Sequence, residues 1–88
     1  MNANAAQIML FIHAPQARSV SVAGSFDVWW KKLHPMARDA QGYWQVKLEL
    51  PSGRYELQFL VDGQWRHNPD FKQVDDGLGG INNIIVVP

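Results

Sequence analysis

The chain has 88 residues, no cysteine, and eight basic side chains balanced by eight acidic ones. One domain with one core, over residues 1–88, is the expectation for that length, and the lack of cysteine removes disulfides and thiolate metal sites. A chain without basic excess is poorly suited to nucleic acid, and no apolar run approaches the ~20 residues of a membrane span.

The N-terminal residues carry no basic stretch, and Ile8 to Ile12 is too short for a signal-peptide core. A cytoplasmic chain away from membranes is expected, complete or as a module of a longer protein. From Gln7 to His13 the residues are mostly apolar, which predicts a strand buried on both faces or nearly so. Val20 and Val22 then alternate with Ser19 and Ser21. A short stretch from Pro35 to Arg38 precedes a turn at Asp39-Ala40-Gln41-Gly42. In the next strand Trp44, Val46, Leu48 and Leu50 alternate with Gln45, Lys47 and Glu49, so Trp44 belongs in the core.

Pro51-Ser52-Gly53 is placed as a hairpin turn would be. Beyond it Tyr55, Leu57, Phe59 and Val61 alternate with Glu56, Gln58 and Leu60. Asp62-Gly63 is the dipeptide of a type I′ turn, because glycine tolerates positive φ, and Gln64-Trp65-Arg66 would return as a short strand. The stretch from Asn68 to Gly80, with Pro69, three glycines and three aspartates, is long for a loop without structure, and such loops are often functional. The last strand, Ile84 to Val87, is β-branched throughout. No helical period is present. About seven short strands with regular turn signals predict an all-β, antiparallel sandwich.

Trp29, Trp65 and Asn82 are the candidate binding residues. Both tryptophans follow turns, where an indole face can meet solvent, and an amide suits a hydroxyl because both donate and accept. A flat, hydroxyl-rich sugar fits such a set, through apolar C–H faces on indole and polar edges on amides. Position alone leaves each residue open: the tryptophans could be buried, and Asn82 could bond its own turn.

Four blocks, Ser19 to Trp29, Gly42 to Gly53, Tyr55 to Trp65 and Asn82 to Val87, closely resemble the family 48 carbohydrate-binding module. That family includes the glycogen-binding domain of AMP-activated kinase β subunits and the N-terminal domains of isoamylases and branching enzymes. The resemblance implies an immunoglobulin-like sandwich that binds α-1,4-linked glucans such as glycogen, starch and maltooligosaccharides. It places the stacking tryptophans at Trp29 and Trp65, a leucine that enters a curved glucan at Leu78, and a hydrogen-bonding asparagine at Asn82. The family's lysine falls on Gln58, which can still donate a hydrogen bond, and its threonine falls on Gly80. Both departures predict a weaker or altered site. Leu78 could instead fold inward, as leucines often do.

No catalytic constellation is legible, and His13, His34 and His67 lie in separate segments without metal-ligand spacing. The implied site needs neither metal nor cofactor, and an open platform of this kind implies a weak affinity, roughly −4 to −6 kcal/mol. The expected role is non-catalytic, holding polysaccharide near an attached or partner protein. The alternative is a protein-interaction or scaffold sandwich with weakened or lost glucan binding, in which Trp29 and Trp30 anchor a partner.

Overall fold

In the computed structural model, residues 5–27 and 31–88 are described. Strands β1 (Ala6–His13), β4 (Ala37–Arg38) and β5 (Tyr43–Leu50) form one antiparallel sheet in the order β1-β5-β4. The second sheet runs β3 (His34–Pro35), β2 (Val20–Gly24), β6 (Gly53–Val61), β9 (Ile81–Val87), β8 (Gln73–Asp75), with β7 (Gln64–Arg66) also on β6. The core between them holds Leu10, Ile12, Val20, Val22, Trp44, Leu57, Phe59 and Val61. This is the sandwich expected from the alternating strands.

The register explains the core. On β6, Leu57, Phe59 and Val61 turn inward and are buried, while Glu56, Gln58 and Leu60 alternate with them. The Trp44 indole is buried too, and its N–H donates to the Ala14 carbonyl at 2.9 Å, so this tryptophan is structural.

Three features differ from the sequence reading. First, β1 is not buried on both faces: Gln7 and His13 are exposed and Met9 is 43% exposed. It stands at the end of a three-stranded order, so only Leu10 and Ile12 reach deep into the core. Second, Pro51-Ser52-Gly53 is not a hairpin turn, because β5 pairs with β1 and β4 whereas β6 pairs with β2, β7 and β9. The segment crosses between sheets. Third, the stretch after Asn68 contains β8, which pairs with β9.

Two crossings knit the layers. Met36, buried between β3 and β4, donates its N–H to the Val20 carbonyl at 2.9 Å as the chain changes sheets. Asn68 and Asn83 form a buried polar stitch. The Asn83 Oδ1 accepts from the Asn68 backbone N–H at 2.6 Å, and its Nδ2 donates back to the Asn68 carbonyl at 2.8 Å. The Asn68 Nδ2 donates to the Phe11 carbonyl on β1 at 2.7 Å, so β9 is linked to the edge of the opposite sheet.

Candidate functional site

Strand β6 organises the site, because its outward positions are flanked by three other strands. The β6–β7 register sets Leu60 opposite Trp65. The β6–β9 register sets Leu57 opposite Asn83, which brings the next pair, Gln58 and Asn82, side by side. Trp65 therefore lies about 7 Å along the strand direction from the amide pair, two residues of strand rise. Gln58 and Asn82 touch directly: Gln58 Nε2 donates to Asn82 Oδ1 at 2.7 Å and to the Ile81 carbonyl at 2.9 Å.

A residue not singled out from sequence completes this network. Asn82 Nδ2 donates to Glu56 Oε1 at 3.0 Å, and Arg54 Nη1 reaches Glu56 Oε2 at 3.5 Å. Period-2 spacing was the available signal, since Glu56 precedes Gln58 by one full repeat and shares its face. The carboxylate and the Ile81 carbonyl are acceptors only, so they fix which end of each amide faces them. Both Gln58 N–H groups are thereby used. Gln58 keeps its Oε1 as an acceptor, while Asn82 is only 9% exposed, so its amide serves to orient Gln58 and Glu56.

Trp65 is placed by a two-residue turn. Asp62 and Gly63 both have positive φ, 49° and 82°, as a type I′ turn requires. The Asp62 carboxylate accepts from the backbone N–H groups of Arg18 at 2.8 Å and Ser19 at 2.9 Å. These bonds, Ser19's first and then Arg18's, hold the carboxyl below the usual carboxylate range. The hairpin is thus anchored to the loop before β2, and Trp65 is left 45% exposed.

Leu78 is 92% exposed, so it does not fold inward. Its loop is held by Asp76, whose Oδ1 accepts from the N–H groups of Leu78 at 2.7 Å and Gly80 at 2.9 Å, while its own N–H donates to the Gly80 carbonyl at 3.1 Å. A Cβ at Gly80 would stand 2.5 Å from Asp76 Oδ2, so glycine leaves room for the carboxylate that closes the loop.

Trp29 and Trp30 lie outside the described residues. The turn leading toward them is described: the Asp27 N–H donates to the Gly24 carbonyl at 3.1 Å, and His34 Nε2 lies 3.2 Å from Asp27 Oδ2. His13 Nε2 instead meets the Gln41 carbonyl. Among the described residues no group of three or more His, Cys, Asp or Glu side chains could hold a metal ion. Nor is any described helix long and apolar enough to cross a membrane. A shallow depression of about 320 Å³, lined by Met9, Arg38 and Val46 among others, lies on the other sheet and contains none of the candidate residues.

The geometry defines an antiparallel sandwich that presents a half-exposed indole, an exposed leucine and an oriented amide pair beside one central strand. The chain belongs to the family described as the glycogen recognition site of AMP-activated protein kinase, whose model matches residues 8–88. It is 43% identical over 70 residues to the pig (Sus scrofa) 5′-AMP-activated protein kinase subunit beta-1, covering 80% of this chain and 55% of that one. The human beta-1 subunit is 41% identical and the mouse beta-2 subunit 39%, each over 80% of this chain and 25% of theirs. The chain thus spans a quarter to about half of these relatives. Among solved structures, the catalytic module of the pneumococcal glycogen-degrading virulence factor SpuA aligns with a TM-score of 0.69 at 18% identity, over 96% of this chain and 15% of that one. That likeness concerns the fold.

Proposed function

We propose that this domain is a non-catalytic module that binds α-1,4-linked glucans and holds an attached or partner protein at polysaccharide. The observation that carries the reading is the half-exposed Trp65 beside the Gln58–Asn82 pair. The indole offers a glucose ring an apolar face, while the Gln58 amide, held in place by Asn82, offers its hydroxyls an acceptor. Leu78 stands clear of the sheet, where it can enter the turn of a curved glucan. Trp29, assigned to the same site by the resemblance, supplies the second stacking surface. Family membership supports recognition of glycogen as the role.

Gel retardation in glycogen and titration with maltoheptaose test this. Trp65→Ala should weaken binding about tenfold or more, the loss of one stacked ring (~1.4 kcal/mol). Unchanged retention in Trp65→Ala would remove this residue from the site. A wild-type domain that folds yet ignores every α-glucan would leave the scaffold reading in place.

A further inference from the structure

Glu56 is an acidic group built into a face otherwise suited to neutral sugar. Its Oε1 holds the Asn82 amide at 3.0 Å, and its side chain keeps 31% exposure. Both Gln58 N–H groups point into the protein network, so that side chain presents only an acceptor. The polar part of the face is therefore rich in acceptors, the Gln58 Oε1 and the Glu56 carboxylate. A glucose hydroxyl, able to donate, satisfies such a surface. An ionised phosphate or carboxylate, which carries like charge and chiefly accepts, does not.

Arg54 stands 3.5 Å from the Glu56 carboxylate but is 57% exposed, so solvent weakens the pairing. Asp75 and Asp76 add negative charge at the Leu78 loop, and their Oδ1 atoms are engaged by backbone N–H groups. Lys31 and Lys32 are exposed and precede β3, a strand two places from β6 in the sheet order. Two strand spacings are about 10 Å, a Debye length at ~0.1 M salt.

We infer that Glu56 is a specificity-determining residue that selects neutral α-glucans over those bearing phosphate or carboxylate groups. The inference rests on the proposed glucan site. It is tested by titrating the domain with β-cyclodextrin and with carboxymethyl-β-cyclodextrin, in wild type and in Glu56→Gln, at low and at high salt. Glutamine can still accept from Asn82 through its Oε1, so the network survives while the charge goes. The wild type should bind the anionic ring about five- to tenfold more weakly than the neutral one, as expected for like charges a few Å apart at a wet surface. That ratio should shrink toward one in Glu56→Gln, and also at high salt in the wild type. Lys31 and Lys32 are constant across the comparison. Equal wild-type affinity for both rings, or an unchanged ratio in Glu56→Gln, would overturn the inference while leaving the glucan site standing. Binding of neither ring would instead overturn the glucan reading on which it rests.

Discussion

At the residue scale the chain separates side chains that hold the fold from those that face outward, and Asn83 and Leu78 show the division. Asn83 is fully buried, and its neighbour Asn82, on the opposite face of β9, is buried too at 9% exposed beneath its bonds to Gln58 and Glu56. Asn83→Ala should destabilise the domain by about 2–3 kcal/mol, since the Asn68 N–H and carbonyl lose their partner in the interior. Urea unfolding would measure it. Leu78→Ala is the contrasting case. A leucine 92% exposed contributes little to packing, so its truncation should shift stability by less than about 0.5 kcal/mol while lowering glucan retention. A Leu78→Ala domain that unfolds early would contradict the exposed placement. The sequence distinguished these residues only in part: the pairing of Asn83 with Asn68 spans 15 positions and depends on the sandwich closing.

At the element scale the β6–β7 hairpin was legible because its information is local. Asp62-Gly63 names its own turn type, and both residues take the positive φ that it needs. A Cβ at Gly63 would meet nothing within 4 Å, so Gly63→Ala should cost only the conformational penalty of the left-handed region, about 1 kcal/mol. Hydrogen exchange of the β7 amides should quicken accordingly. The Asp62 carboxylate adds a pH dependence. Its folded pKa is lowered, so its contribution is present above the ordinary carboxylate value of ~3.9 and is lost as pH falls through the lowered folded value. The stability advantage of wild type over Asp62→Asn should hold steady above about pH 5 and shrink as acid is added below ~4. An advantage independent of pH would mean that the charge is not what holds the loop. Other elements were hidden in the sequence. The two-residue strands β3 and β4 exist because the chain switches sheets around buried Met36, and no local period marks a switch of layer. Pro51-Ser52-Gly53 misleads for the same reason, since two alternating runs joined by a short turn look alike whether or not they pair.

At the scale of the whole molecule the site and the core share a strand. Leu57 and Phe59 are fully buried on one face of β6, while Gln58 between them bonds Asn82 on the other. A ligand held on the outward face cannot survive the loss of the inward one, so binding is linked to global unfolding. At a ligand concentration ten times Kd, the linkage stabilises the folded state by about 1.4 kcal/mol. For a domain of this size that corresponds to a rise in Tm of roughly 6–11 °C. The choice of ligand matters, because linkage counts only the difference between folded and unfolded affinity. A cyclodextrin cavity also accepts aromatic side chains, and the unfolded chain exposes four tryptophans, two tyrosines and four phenylalanines. Maltoheptaose forms no such closed cavity and should give the fuller shift. Calorimetric scans at matched saturation should therefore rank maltoheptaose above β-cyclodextrin, and Trp65→Ala should reduce both shifts at fixed ligand concentration. A maltoheptaose shift that persists in full after loss of Trp65 would place the glucan on another surface of the sandwich.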